Sequence, residues 1–473
     1  PWRIATAAAG TDSAYRYVDN GCLASVKDYR TMAPLNASSD DDMDCQVIHT
    51  SAYGQLGELL GEHLLTVDSL VVYGPVDSTD IEVMWRASFE GQLKFLNLEN
   101  ATVKGRRIPD KAFWHQSEQL SPSGEYIYCI KLRRMILPND VEEIGEGVFS
   151  WAVNLEYINF PDSLKSIDRY AFSYCRSFKA DPVVFPEGME TIGSLVFLDC
   201  WSFTGKVVLP STLKTLGLGA FFSSKITECI FSEGLEEVGD AAFYGTRLKE
   251  AILPNSIQTF VGSDHFAVNY ELEKIRFPEG VTTIPKGFVD ACIELTEFIM
   301  PNSVEEIGSG AFHMCDALEE LQLSSNLKSL DSEALASCRG LKTISFPATL
   351  ETLGAKSCDG WHVESIYCEA PVPPVCLYRE ASPDHTPFGK YVEGSANGIP
   401  VYVPVGSAEL YRNAWGWNYF TNFIEMEFSG VEDCVIEKDD THSALYDLQG
   451  RKVSQPISGR VYIQNGKKVV LSE

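Results

Sequence analysis

Thiols, imidazoles and carboxylates are the side chains of this sequence that could do chemistry. The chain holds 13 cysteines, 8 histidines and 66 aspartates and glutamates in 473 residues. Cys175, Cys200, Cys315 and Cys338 recur at one position of a repeating pattern, with Cys292 and Cys358 near it. Such a column could be a disulfide or metal ladder. No Cys-x-x-Cys pair with partner histidines at zinc spacing occurs. A small buried hydrophobe filling the same pocket in each unit explains the column better. His49, His63, His115, His265, His313, His362, His385 and His442 are scattered without metal spacing. Gly145-Glu146-Gly147 and Gly308-Ser309-Gly310 look like starts of a dinucleotide fingerprint, but the third glycine is missing. There is no G-x-S-x-G elbow, no H-E-x-x-H and no P-loop. The acidic run Ser38 to Asp44 lacks the EF-hand glycine and twelfth-position glutamate, so a solvated loop is expected. The residues therefore point to a non-enzymatic protein with no catalytic residue, no metal and no cofactor. A hydrolase hidden in an irregular segment is the minor alternative.

These residues sit inside a repeat. LEYINFPDSLKSIDRYAFSYC begins at Leu155, and related stretches recur at LRRMILPNDVEEIGEGVF and EFIMPNSVEEIGSGAFHMC. The slot after the apolar triplet falls at Pro138, Pro161, Pro186, Pro210, Ser232, Pro254, Pro278, Pro301, Ser324 and Pro347. The steps between them are 22–25 residues. A fixed period of this size marks a leucine-rich solenoid, in which each unit packs only on its neighbours. The fold class expected is an α/β solenoid: a right-handed superhelix with a parallel concave β-sheet and an irregular or short-helical convex side.

The period also says which side chains face out. In the strand L-x-x-I-x-F, alternate residues face opposite sides. Leu155, Ile158 and Phe160 go in, while Tyr157 and Asn159 go out. The proline ends ladder pairing. One outward column reads Arg134, Tyr157, Pro182, Lys206, Glu228, Glu250, Lys274, Glu297, Glu320, Thr343. The other reads Ile136, Asn159, Val184, Val208, Ile230, Ile252, Arg276, Ile299, Gln322, Ser345. The candidate ligand-binding residues are Tyr157, Val184, Lys206, Val208, Glu228, Ile230, Glu250, Ile252, Lys274 and Arg276. The apolar run Val184, Val208, Ile230, Ile252 suggests a partner site. The plainer reading is that β-branched residues make good strands.

The net charge is −28, from 38 basic and 66 acidic side chains. That disfavours nucleic acid and anionic lipid as partners. No run of 18 apolar residues appears, so no membrane-spanning helix is expected. The chain starts at Pro1 without a positively charged leader, as expected of a secreted chain whose signal segment has been removed.

Five parts are expected along the chain. Residues 1–64 form an N-terminal leader, and 65–131 are diverged repeats with a polar insertion. Residues 132–368 are the regular array of about ten units. Residues 369–428 form a C-terminal cap, with Ser407 capping a short helix and Trp415 and Trp417 closing the apolar end. Residues 429–473 form a small β-rich tail, where Asn465-Gly466 signals a hairpin.

The unit closely resembles the BspA-like, Treponema pallidum-type leucine-rich repeat common in surface proteins of Bacteroidetes. ALYDLQGRKV and GRVYIQNGKKVVL are similar to sorting tails of secreted proteins from that group. The resemblance implies a cell-surface or secreted, extracytoplasmic protein. It implies adhesion to host matrix or to other bacteria, through a protein or glycan ligand, and carries over no catalytic residues. A monomer is expected, and a spacer arm without a ligand is the alternative. The units near Glu228 and Thr246 lack the proline or the cysteine, so local irregularity is expected there.

Overall fold

The computed structural model describes residues 43–114, 130–179, 182–377, 385–390 and 397–428, with the backbone of 445–446, 461–464 and 467–470. The residues Ser38 to Asp42, Asn465 and Gly466 lie outside the described ones. The chain winds as a parallel β-solenoid whose coils each present a first strand, a second strand and a run of turns.

The first strands form successive parallel ladders. One links Cys45–His49, Ser69–Val76, Phe95–Asn97, Arg134–Ile136 and Tyr157–Ile158. Further ladders hold Val183–Val184, Thr204–Val208 and Lys225–Ile230, then Glu250–Ile252, Lys274–Arg276 and Glu297–Ile299. The last holds Thr343–Phe346, Ser365–Cys368, Asn397–Pro404 and Phe420–Met426. The ladders break between Ile158 and Val183, between Ile230 and Glu250 and between Ile299 and Thr343, the second of these in the stretch near Glu228 and Thr246 that lacks the proline or the cysteine, and the register shifts at Gly205/Lys206. The second strands, two residues each, pair as a seven-stranded sheet from Arg107–Ile108 to Thr259–Phe260 and a five-stranded sheet from Thr283–Ile284 to Val375–Cys376.

The convex turns contain no α-helix between 132 and 368 among the described residues. The reason is local: each coil places two residues about four apart in the left-handed region, such as Tyr170 and Tyr174 or Gly310 and Met314. A left-handed residue every few positions interrupts any helix. The backbone instead bonds to the next coil, with Phe149 N donating to Ala171 O at 2.7 Å and Phe172 N to Val196 O at 3.0 Å.

The phenylalanine of each coil fills the centre. Phe113, Phe149, Phe172, Phe197, Phe221, Phe243 and Phe266 stack in one line, with centroids 5.1–5.4 Å apart. Burial of each ring stabilises by about 1.5–3 kcal/mol, and stacking adds about 1 kcal/mol. The Ile-Gly glycines do a different job from the turn glycines. A Cβ on Gly217 would lie 2.5 Å from Gly193 C and Ser194 N. That column is therefore set by how closely the coils approach.

Both ends depart from the sequence reading. The first ladder begins at Cys45–His49, inside the segment read as a leader. It was missed because CQVIH carries no second half of the repeat. The helix Ser78–Phe89 then packs beside it, capped by Asp77. At the other end Ser407 does not cap the helix Ala408–Asn413 through its side chain. Its hydroxyl donates to Pro371 O at 2.8 Å, and Glu425 Oε1 accepts from Ala408 N at 3.0 Å instead. Trp417 is fully buried against Phe346, Phe388 and Tyr411 and closes the core, whereas Trp415 is 44% exposed. In the tail, Val461–Gln464 pairs antiparallel with Leu445–Tyr446 and with Lys467–Val470.

Candidate binding face

The first strands carry the candidate residues, and alternation decides what each presents. The residues between them, Val183, Val207, Cys229, Ala251 and Ile275, are buried. Tyr157, Lys206, Val208, Lys274 and Arg276 are half-buried, and Val184, Glu228, Ile230, Glu250 and Ile252 are exposed. All ten share the outward face of the first-strand ladders.

Register places them in two rows. Val184 pairs with Val208 and Val208 with Ile230. Ile252 pairs with Arg276, and Arg276 with Ile299. Val184, Ile230 and Ile252 keep 50%, 38% and 43% of their surface exposed. The row beside them is charged and largely self-neutralising. Lys206 Nζ meets Glu228 at 2.7 Å, and Lys274 lies between Glu250 at 3.8 Å and Glu297 at 3.4 Å. Exposed pairs of this kind contribute little stability, roughly 0–1 kcal/mol. They do hold the charges beside the apolar row in fixed places.

The face is not uniform along its length. Arg134 and Ile136 stand in the outward columns, yet both are buried, as are Phe95 and Asn97 on the strand before. The accessible face therefore starts at Tyr157. Towards the other end it continues through Tyr367, stacked on Tyr402 at 4.5 Å, to Ile424. Those three were not among the sequence candidates, because the cap strands do not repeat the unit.

The thiols of the repeat column lie elsewhere and are occupied. Cys175, Cys200, Cys292, Cys315 and Cys338 are free, fully buried thiols. Each Sγ donates to the backbone carbonyl of the coil before it, at 3.0–3.3 Å. Burial pushes the thiols of Cys292 and Cys338 up to about 12, far from the reactive thiolate range. The sequence reading treated this column as a small hydrophobe and missed the donor. One position carried the signal, since Asn269 stands where other coils have the cysteine. Asn269 Nδ2 donates to Phe243 O at 2.9 Å, the carbonyl a cysteine would serve.

Of the histidines, His63 pairs with Asp44 and His313 with Asp290, both at 2.9 Å, and His49 stacks on Tyr73. Among the described residues, no group of three or more His, Cys, Asp or Glu side chains is placed to hold a metal ion. Among them too, no helix is long and apolar enough to cross a membrane.

None of the curated proteins compared matches the chain. Several solved structures are similar to it. A leucine-rich repeat protein from Bacteroides ovatus is 22% identical, with a TM-score of 0.33, over 63% of this chain and 84% of that one. A leucine rich cell surface protein from Faecalibacterium prausnitzii is 21% identical, with a TM-score of 0.33, over 68% and 83%. The pneumococcal vaccine antigen PcpA is 17% identical, with a TM-score of 0.38, over 69% and 86%. The BspA type leucine rich repeat region matches residues 142–269 and 259–373. By its repeat, the stretch from 142 to 373 is a BspA type leucine rich repeat region.

Proposed function

We propose that this is a non-enzymatic binding protein that holds a protein partner on its first-strand face. The observation that carries the reading is the outward apolar row Val184, Val208, Ile230 and Ile252, carried by two successive parallel ladders, with all but the half-buried Val208 exposed. Apolar side chains exposed in a continuous row favour association, at about 25 cal/mol per Å² covered. The neighbouring charges are already paired, so they add register and selectivity more than affinity. A protein suits this face better than a glycan, because the row offers no polar side chain to sugar hydroxyls. Placement outside the cell or at its surface belongs to the same proposal, and the BspA-type repeat supports it.

The test uses immobilised extracellular-matrix proteins and the full chain. Ile230→Asp with Ile252→Asp is expected to weaken binding by about tenfold or more, with the urea midpoint nearly unchanged because both side chains point outward. Full binding by the folded double variant would refute the role of this face and favour a spacer arm.

A further inference from the structure

We propose that Arg176, Asp199 and Trp201, on the turns of two adjacent coils, form a subsite for an acidic pyranose, a sugar ring bearing a carboxylate. The site lies apart from the first-strand face and does not depend on that reading.

The guanidinium of Arg176 lies 4.3 Å over the ring of Trp201 and 5.8 Å from that of Trp151. Trp151 in turn stacks on Tyr174, with centroids 4.0 Å apart. Two tryptophans from different coils thus hold one cation between them. In a chain with net charge −28, carboxylates are plentiful. Arg107, Arg133, Arg169, Arg247 and Arg339 each meet one. Arg176 forms no ion pair among the described residues, and its Nε is buried without a hydrogen-bond partner. An arginine kept from every carboxylate in so acidic a protein, with its Nε buried, keeps its terminal nitrogens for an external anion.

Trp201 supplies the second half of the recognition. It is 51% exposed, and its Nε1 donates to Asp199 Oδ1 at 3.3 Å, which steadies the ring. Arg176 covers one face of the indole, and the other face suits the apolar C–H face of a pyranose whose carboxylate reaches past the ring edge to Arg176. Asp199 Oδ2 remains as an acceptor for a ring hydroxyl. A simple anion would use Arg176 and leave Trp201 idle. A neutral sugar would use Trp201 and leave Arg176 idle. A pyranose carboxylate uses both.

The test is titration of the full chain with trigalacturonic acid and sialyllactose, with lactose and inorganic sulfate as the contrasting probes. At least one acidic sugar is expected to bind with a Kd of about 1 mM or tighter. Arg176→Gln and Trp201→Ala should each weaken it about tenfold, at unchanged circular dichroism and urea midpoint. Lactose and sulfate should bind much more weakly. Ile230→Asp with Ile252→Asp should leave sugar binding intact, which separates this site from the protein-binding face. The proposal falls if neither acidic sugar binds at about 10 mM, if sulfate or lactose binds as well as they do, or if both variants bind normally.

Discussion

The thiol of Cys292 donates to the backbone carbonyl of Phe266 at 3.1 Å, one coil back. Phe266 N meanwhile donates to Phe288 O at 2.9 Å. Both backbone groups of the core phenylalanine are therefore satisfied by the following coil. A buried carbonyl left without a donor costs about 1–3 kcal/mol. Val289 O, which Cys315 serves, also accepts from Cys292 N at 3.2 Å, so Cys315→Ala is expected to lose the net value of one hydrogen bond, about 1 kcal/mol, in urea denaturation, while Cys315→Ser, which keeps a donor, loses less. Alkylation with peptide mapping provides a second reading. Cys175, Cys200, Cys292, Cys315 and Cys338 should stay unlabelled in the native protein and label on unfolding. Rapid native labelling of this column would contradict the arrangement.

The glycine after the second strand makes a sharper contrast. Gly217 has no room for a Cβ, which would sit 2.5 Å from the backbone of Gly193 and Ser194. Backbone cannot rotate away as a side chain does, so the coils must separate. Gly217→Ala is expected to cost more than about 3 kcal/mol. Gly398→Ala meets nothing within 4 Å and should change stability by less than about 0.5 kcal/mol. Similar denaturation midpoints for the two variants would show that coil spacing does not fix this position.

His265 makes one coil sensitive to acid. It occupies the slot that holds Ala242 and Ala311 in other coils, fully buried, with Phe260 and Phe288 against it. Its Nδ1 has no partner, and Nε2 contacts Val261 O at 3.1 Å. Burial pulls its pKa from 6.5 down to about 4, against the opposing pull of Asp240 and Asp264. The folded pKa lies below the unfolded one, so between these values the unfolded chain binds the extra proton. Stability from this residue is complete above about pH 6.5 and falls towards pH 4, by about 3 kcal/mol at most. His265→Ala should flatten that part of the pH–stability curve. Parallel curves for the variant and the parent chain between pH 7 and 4.5 would dismiss the histidine as a cause.

What the sequence disclosed depended on repetition. The alternation in LEYINF placed Leu155 and Ile158 inside and Tyr157 outside because ten units repeat the constraint. Phe113 to Phe266 form a core line for the same reason. Features that occur once were not legible. Cys45–His49 joins the sheet without a full repeat around it, and Glu425 replaces Ser407 as the cap through a contact 17 residues away. The Arg176 site needs side chains of successive coils to converge, and period alone does not say which way an arginine leans. The turns were expected to allow short helix, but the left-handed residues at Leu195 and Asp199 or Glu333 and Ser337 are not marked by glycine.

Asp80 ties the first coils together and is the clearest target at the N-terminal end. Its carboxylate is fully buried. Oδ2 accepts from Gly54 N at 2.7 Å and Asp77 N at 3.0 Å, while Oδ1 accepts from Leu56 N at 2.9 Å. Three backbone donors from two segments thus converge on one side chain, and Asp77 completes a capping box on the helix Ser78–Phe89. Asp80→Ala strands the buried Leu56 amide and removes the acceptor of the part-buried Gly54 and Asp77 amides, at a cost of about 3 kcal/mol. Asp80→Asn keeps one acceptor oxygen and should lose less. In a solenoid each coil packs only on its neighbours, so the damage should stay local. Hydrogen exchange is therefore expected to accelerate at Gly54, Leu56 and Asp77 in Asp80→Ala. The amides of Phe221 and Phe243, several coils away, should keep their protection. Equal loss of protection at both places would mean that the array unfolds as one unit and that this carboxylate governs the whole of it.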